Sequence, residues 1–238
     1  ASPKVGLLFR LPGGPEFYGN ISRGFRQTDG VIRDPRLPFI TAWAYEAGSR
    51  IESGAFALSV AVFRMDVSNE QTFNPLTATT SSHGASRRQG LELGLAARLN
   101  SVAHLSAQWS FIDAKYRHLV SEDGEELSGA RIFNTAKYFG STTLDLSPTS
   151  VSWRIQVGAN VVGPYTPFES VGVTLPAYGL AHLGGALSMG KAEFQLGIRN
   201  LLDHRYVELQ AGDFAVPGQP RTVFGGVRYP LGRSGDSR

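Results

Sequence analysis

The chain has no cysteine, which excludes disulfide staples, thiolate metal sites and cysteine nucleophiles together. It also lacks a long apolar run. The most hydrophobic piece, residues 56–63 (FALSVAVF), is far short of the roughly 20 apolar residues that a membrane helix requires. Charge is scarce, at 18% of residues, and the 23 basic and 20 acidic side chains are dispersed rather than blocked. A basic stripe is therefore missing, and no nucleic-acid partner is expected. The opening stretch, ASPKVGLLFRLPGG, has no basic start, apolar core and small-residue cleavage site of a secretory signal, so the expectation is a fragment of a longer exported protein.

The chemistry of a catalytic site is equally thin. No serine occupies a Gly-x-Ser-x-Gly elbow. The histidines His83, His104, His118, His182 and His204 are scattered without metal-ligand spacing and read as ordinary polar positions. The acidic run at 122–126 (EDGEE) lacks the twelve-residue calcium loop and reads as a solvated loop tip. The chain is expected not to be an enzyme, to bind no metal and to need no cofactor.

What the sequence does contain is alternation of period two, the signature of strands with two unlike faces. Residues 90–99 set Leu91, Leu93, Leu95, Ala97 and Leu99 against Gly90, Glu92, Gly94, Ala96 and Arg98. Residues 103–111, 151–161 and 191–199 follow the same rule, and weaker versions lie at 4–10, 16–24, 43–51, 56–63, 138–146, 178–189 and 221–231. At 63–67 the phase slips, since Phe63, Met65 and Val67 become the apolar set; a bulge, or a strand rising past a membrane rim, accounts for this.

About eleven strands result, joined alternately by short turns such as Leu11-Pro12-Gly13-Gly14-Pro15 and Ser147-Pro148-Thr149, and by long polar loops. A soluble sandwich has no reason to collect every long loop at one end. An outer-membrane barrel does, with short periplasmic turns and long extracellular loops. Trp43, Tyr45, Trp109, Phe111, Tyr138, Tyr165, Tyr178 and Tyr229 lie mostly near strand ends, where interfacial girdles would place them. The expected fold is thus all-β: an antiparallel transmembrane β-barrel segment. In that setting Glu46, Arg50, Glu92, Arg98, Arg154, Gln156, Glu193, Arg199 and Arg228 are the expected lumen-facing residues; in a soluble fold the same set is a solvent face.

Two strings near the end, GIRNLLDHRY at 197–206 and PGQPRTVFGGVRY at 217–229, resemble the last hairpin of TonB-dependent outer-membrane receptors. SPKVGL at 2–7, YEAGSR at 45–50, SRRQGLEL at 86–93 and LPAY at 175–178 extend the resemblance in the family's order along nearly the whole chain. It implies that 1–231 is the C-terminal part of a barrel of about 22 strands around a plugged lumen. Residues 232–238 would be a polar tail, and the plug domain would be absent from this chain. The family usually ends on an aromatic residue that assembly machinery reads, and here the tail departs from that pattern.

The implied function is active uptake of a scarce ligand, most often a ferric siderophore, across the outer membrane of a Gram-negative-type bacterium. The implied partners are outer-membrane lipid and lipopolysaccharide, an iron chelate or other small ligand, and the TonB complex acting through the missing plug. Arg26, Arg33, Arg36, Arg87 and Arg88 fall in or beside the outer loops and are candidates for charge-assisted hydrogen bonds to an anionic chelate, with a lipopolysaccharide or surface contact as the alternative for each. The rival architectures are a small porin-like barrel, which needs an even strand number and closure of the last strand on the first, and a soluble β-sandwich carbohydrate-binding module.

Overall fold

The computed structural model describes all residues except 27–37, 75–78, 83, 121–125, 149–150, 168–171, 212–213 and 231–238. Fifteen strands are present among the described residues: β1 (Lys4–Arg10), β2 (Glu16–Arg26), β3 (Ile40–Ser53), β4 (Phe56–Ser68), β5 (Gln71–Asn74), β6 (Thr79–Ser82), β7 (Ala85–Arg98), β8 (Ala103–His118), β9 (Tyr138–Leu146), β10 (Trp153–Val162), β11 (Tyr178–Met189), β12 (Ala192–Arg199), β13 (Val207–Ala211), β14 (Phe214–Pro217) and β15 (Thr222–Arg228). Eleven of them form one antiparallel sheet in the order β1-β2-β3-β4-β7-β8-β9-β10-β11-β12-β15. The eleven expected strands are these eleven.

Each strand of this sheet pairs with the next of its strands along the chain, as a meander requires, and the connections sort by length. Short turns join β1 to β2, β3 to β4, β7 to β8, β9 to β10 and β11 to β12, while every long connection lies at the opposite end of the sheet. In the first short turn Gly13 takes φ of 67° and Gly14 donates its backbone N–H to Leu11 O at 3.0 Å, the positive φ that glycine adopts without a Cβ clash. In the third, Asn100 Oδ1 accepts the amides of Val102 at 2.8 Å and Ala103 at 2.9 Å.

The long connections hold structure that periodicity did not announce. The loop after β4 carries the β5–β6 hairpin and the loop after β12 carries the β13–β14 hairpin, each a two-stranded sheet of its own. The connection from β8 to β9 folds onto the sheet: Tyr116 N–H reaches Ala130 O at 2.9 Å and Ile132 N–H reaches Ala114 O at 3.1 Å. Ala114, Tyr116, Leu119, Leu127 and Ile132 form a buried apolar cluster there.

The phase slip in β4 is not a bulge. Its register is unbroken against β3 from Ser68 to Phe56 and against β7 from Ala85 to Ala97. The faces keep their geometry and exchange their chemistry: toward the loop end, Arg64 and Asp66 take over the face that carries Val60 and Val62, while Met65 and buried Val67 take the other. β8 inverts in the same way, with Ala114 and Tyr116 on one side and Asp113 and Lys115 on the other.

Among the described residues β1 pairs only with β2 and β15 only with β12, so the sheet does not close on itself. The odd strand count and the two unpaired edges disagree with a complete porin-like barrel, and a single sheet disagrees with a sandwich. β15 stops at Arg228, short of Pro230, which has no N–H to give a ladder. No helix among the described residues is long and apolar enough to cross a membrane.

Candidate functional site

Cross-strand partners share a face, so the register decides which residues look the same way. Starting at Glu46, the ladder runs to Phe63, Gly90 and Ile112. From Glu92 it runs to Ser110 and Phe139, and from Arg98 through His104 and Asp145 to Gln156 and Gly184. Arg50, Arg154, Glu193, Arg199 and Arg228 join the same side through their own partners. All nine sequence candidates therefore lie on one face of the sheet. The opposite face carries Phe17, Val60, Leu93 and Trp109 in one row and Phe56, Leu105, Val157, Leu183 and Ile198 in others.

At the short-turn end the polar face is laced with ion pairs. Arg50 pairs with Glu52, and Glu193 sits 4.0 Å from Arg154 and 3.9 Å from Arg228. Gln156 donates to Asp145 Oδ1 at 2.9 Å. Midway along the strands the side chains become small, with Ser59, Ala61, Gly94, Ser110 and Ser141 bordering a hollow of about 660 Å³ that Tyr18, Glu92, Gln108 and Asn160 also line.

Aromatic rings on this face lie flat. Tyr18 covers Gly48, Phe63 covers Gly90, His182 covers Gly158 and Phe224 covers Gly197; each pair is in direct register, and a Cβ on the glycine would strike the ring. Trp109 over Gly140 repeats the arrangement on the apolar face. A ring laid across a glycine shields the backbone that glycine leaves bare.

The five loop arginines separate. Arg33 and Arg36 lie outside the described residues. Arg26 ends β2 on the polar face, opposite Ile40. Arg88 is also on the polar face, but Glu70 holds it through Nη1 at 3.1 Å and Nη2 at 2.9 Å, with Ser86 bonded to the same carboxylate. Burial opposes ionisation of Glu70, yet the hydrogen bonds from Arg88 and Ser86 and the charges of Arg88 and Arg26 hold its carboxyl below the usual range. Arg87 points to the other face, where its Nε meets Asp66 Oδ1 at 2.6 Å.

Of the acidic run, Glu126 is described; hydrogen bonds from Ser128 hold its carboxyl below the usual range, and residues 122–125 lie outside the described set. His83 lies outside it too. Among the described residues no group of three or more His, Asp or Glu side chains could hold a metal ion.

An aromatic platform on the polar face went unread in the sequence. Tyr178 opens β11 opposite Val162 and stacks on Tyr206 with ring centroids 4.3 Å apart. Tyr165 beside them donates to Glu208 O at 3.1 Å, and burial together with Glu208 pushes its hydroxyl pKa up. Tyr178 is thus not an outward girdle residue; Trp43, Tyr45, Trp109, Phe111 and Tyr138 are on the apolar face as a girdle requires. Parity was the available signal, since Tyr178 is four residues from His182 and out of phase with Leu183 and Leu187.

The family model described as TonB dependent receptor-like, beta-barrel matches residues 1–201. The chain belongs to the TonB-dependent receptor β-barrel family. Its relatives include the metal-pseudopaline receptor CntO of Pseudomonas aeruginosa, 26% identical over 94% of this chain and 32% of that protein. The ferrioxamine B receptor of Salmonella typhimurium is 23% identical over 96% of this chain and 34% of that protein. Among solved structures, the siderophore receptor PiuA of Acinetobacter baumannii superposes with a TM-score of 0.79 at 17% identity, covering 95% of this chain and 35% of that one. The ferric yersiniabactin uptake receptor FyuA of Yersinia pestis gives 0.77 at 18% identity, covering 94% and 36%. This chain spans about a third of the length of the relatives it matches. Members of the family are receptors of the Gram-negative outer membrane and not enzymes.

Proposed function

We propose that this chain supplies the C-terminal strands of a TonB-dependent receptor that takes up a metal chelate, most often a ferric siderophore, across the outer membrane. The observation that carries the reading is the sorting of faces by register, with nine polar side chains on one side and the aliphatic rows on the other. In this reading the polar face lines the lumen and the apolar face meets lipid and lipopolysaccharide. The relatives are receptors for metal-pseudopaline and ferrioxamine B, which supports a metal chelate over a glycan.

The two ends of the polar face then do different work. The ion pairs around Glu193 and Arg50 would meet the plug, and through it the TonB complex; the hollow between Tyr18 and Asn160 gives the plug room. Arg26 and the Tyr178–Tyr206 platform stand toward the loop end, where an anionic chelate would arrive; Arg33 and Arg36 are candidates from the sequence alone. Glu70 occupies Arg88 and Asp66 occupies Arg87, which reduces the claim of either arginine on the ligand.

The test is radio-iron uptake by a receptor-deficient strain carrying the full receptor gene, offered ferrioxamine B and a metal–pseudopaline-type complex in turn. Accumulation that depends on both the gene and an energised inner membrane is expected for one of them. Accumulation of neither, or equal accumulation without energy, would overturn the proposal.

A further inference from the structure

Short turns divide the large sheet into two-stranded units, β1–β2, β3–β4, β7–β8, β9–β10 and β11–β12, with β15 alone at the end. Within a unit the turn decides which residues pair, because a tight reversal has no slack. Between units the chain leaves through a long connection, such as residues 27–39 between β2 and β3. Altering the length of such a loop by a few residues costs well under about 1 kcal/mol, so the loop does not choose the register. Alternation does not choose it fully either. A slip of one residue turns every apolar side chain to the wrong face, but a slip of two leaves both faces intact.

The five seams between units each carry one ring laid on a directly facing glycine. Tyr18 lies on Gly48 between β2 and β3, Phe63 on Gly90 between β4 and β7, and Trp109 on Gly140 between β8 and β9. His182 lies on Gly158 between β10 and β11, and Phe224 on Gly197 between β12 and β15. None of the five short-turn ladders contains such a facing pair. Tyr138 also touches Gly163, but that glycine follows the last residue of β10.

Each ring fits one register. Two residues to either side of the glycine a side chain stands on the same face: Glu46 and Arg50 around Gly48, Arg88 and Glu92 around Gly90, Tyr138 and Thr142 around Gly140. Gln156 and Asn160 flank Gly158 in the same way, and Gln195 and Arg199 flank Gly197. A Cβ in place of any of these glycines would stand within 3.0 Å of the ring. A slip of two residues therefore drives the ring into a side chain and leaves the glycine backbone bare.

We infer that these ring–glycine contacts set the register of the barrel as it assembles, one at each seam where no short turn does so. The inference goes beyond the uptake reading and stands whichever ligand the receptor carries.

The experiment follows the β2–β3 seam in the full receptor, with any other cysteine replaced, assembled in outer membranes and then oxidised. Gly19→Cys/Ala47→Cys reports the native register, in which these residues face each other on the apolar side; directly facing strand residues are within disulfide reach. Gly19→Cys/Ser49→Cys and Gly19→Cys/Tyr45→Cys report slips of two residues in either direction. The bridged fraction is the receptor that a maleimide-linked polymer no longer shifts on a gel. With Tyr18 in place, the native pair alone is expected to bridge. Tyr18→Ala should raise bridging of a slipped pair about two- to tenfold, the range that a lost aromatic contact gives, and Tyr18→Phe should not. Transposing the ring, Tyr18→Gly/Gly48→Tyr, should return the native pattern, because facing residues of an antiparallel pair are related by a local two-fold axis. A glycine–serine insertion at Gly54 should free the β3–β4 register, which has a turn and no ring, as read with Ala47→Cys/Val62→Cys against Ala47→Cys/Val60→Cys. The same insertion between β2 and β3 should leave the β2–β3 pattern unchanged. An unchanged pattern in Tyr18→Ala, loss of native bridging with no gain at either slipped pair, or a transposed variant that behaves as Tyr18→Ala does would overturn the inference. Should Tyr18→Ala never reach a heat-modifiable form, the transposed variant decides: native bridging supports the register role, and failure to assemble contradicts it.

Discussion

The ring of Phe224 lies across Gly197, its direct partner in the β12–β15 register, and Arg199 caps the same ring at 5.1 Å. A side chain at position 197 would have to displace the ring. Gly197→Val is expected to destabilise the folded receptor by about 1–3 kcal/mol, the usual cost of overpacking. The double variant Gly197→Val/Phe224→Ala should recover much of that loss, because the clash needs both partners. Urea unfolding followed by heat-modifiable migration measures both; additive losses would contradict the arrangement.

Glu70 tethers the loop after β4 to β7 through Arg88 and Ser86. Its carboxyl is held below the ordinary value of 4.5, so the tether's stabilisation is complete above that value and is lost as pH falls through the folded pKa. Hydrogen exchange at the Glu70 amide, which donates to Gly84 O at 3.0 Å, should show constant protection from neutral pH down to about 5 and a loss below the carboxylate range. Glu70→Gln should be less protected at neutral pH, by about 1–3 kcal/mol, and flat with pH.

Tyr178 and Tyr206 stack on the polar face near the proposed ligand entrance. Removing an aromatic contact costs about 0.5–1.5 kcal/mol, so Tyr206→Ala should weaken binding of the transported chelate by roughly two- to tenfold. Its heat-modifiable band should persist. An unchanged Kd, measured by quenching of intrinsic fluorescence, would remove the platform from the ligand path.

Asn200 is buried, with φ of 49°; its side-chain nitrogen donates to His204 O and Gln219 O, each at 2.9 Å, and its oxygen accepts the His204 amide at 2.8 Å. Asp203 accepts the Arg221 amide at 2.8 Å, so both polar ends of the Asn-Leu-Leu-Asp turn bind the segment that leads into β15. Asn200→Ala leaves buried groups unsatisfied and should cost about 2–4 kcal/mol in thermal unfolding. Asn200→Asp keeps the acceptor and loses both donations, so it should recover only part.

The strands were legible because alternation is a direct consequence of having two unlike solvents, and Leu91 to Leu99 shows it without ambiguity. The faces were legible for the same reason: stepping back two residues at a time from Glu92 reaches Arg88, and from Leu91 reaches Arg87. Treating Arg87 and Arg88 together as loop residues hid that adjacent residues in a strand look opposite ways. The phase slip at Phe63 marked the point where each face changes its surroundings, and the sequence left a bulge open because both produce the same pattern. The cluster of Tyr116, Leu127 and Ile132 and the clamp of Glu70 on Arg88 depend on loops folding back over the sheet, which no period announces.

The central claim is that alternate residues of these strands meet lipid and their neighbours meet an enclosed interior. This chain has no cysteine, so single cysteines can be placed at Leu93, Leu105 and Ile155, and at Glu92, Gln108 and Gln156, in the full receptor in membranes after any cysteine elsewhere in it is replaced. Labelling of the first three by a lipid-soluble maleimide and of the second three by a water-soluble one is predicted; water-soluble labelling at Leu93, Leu105 and Ile155, with no lipid-phase labelling there, would contradict it.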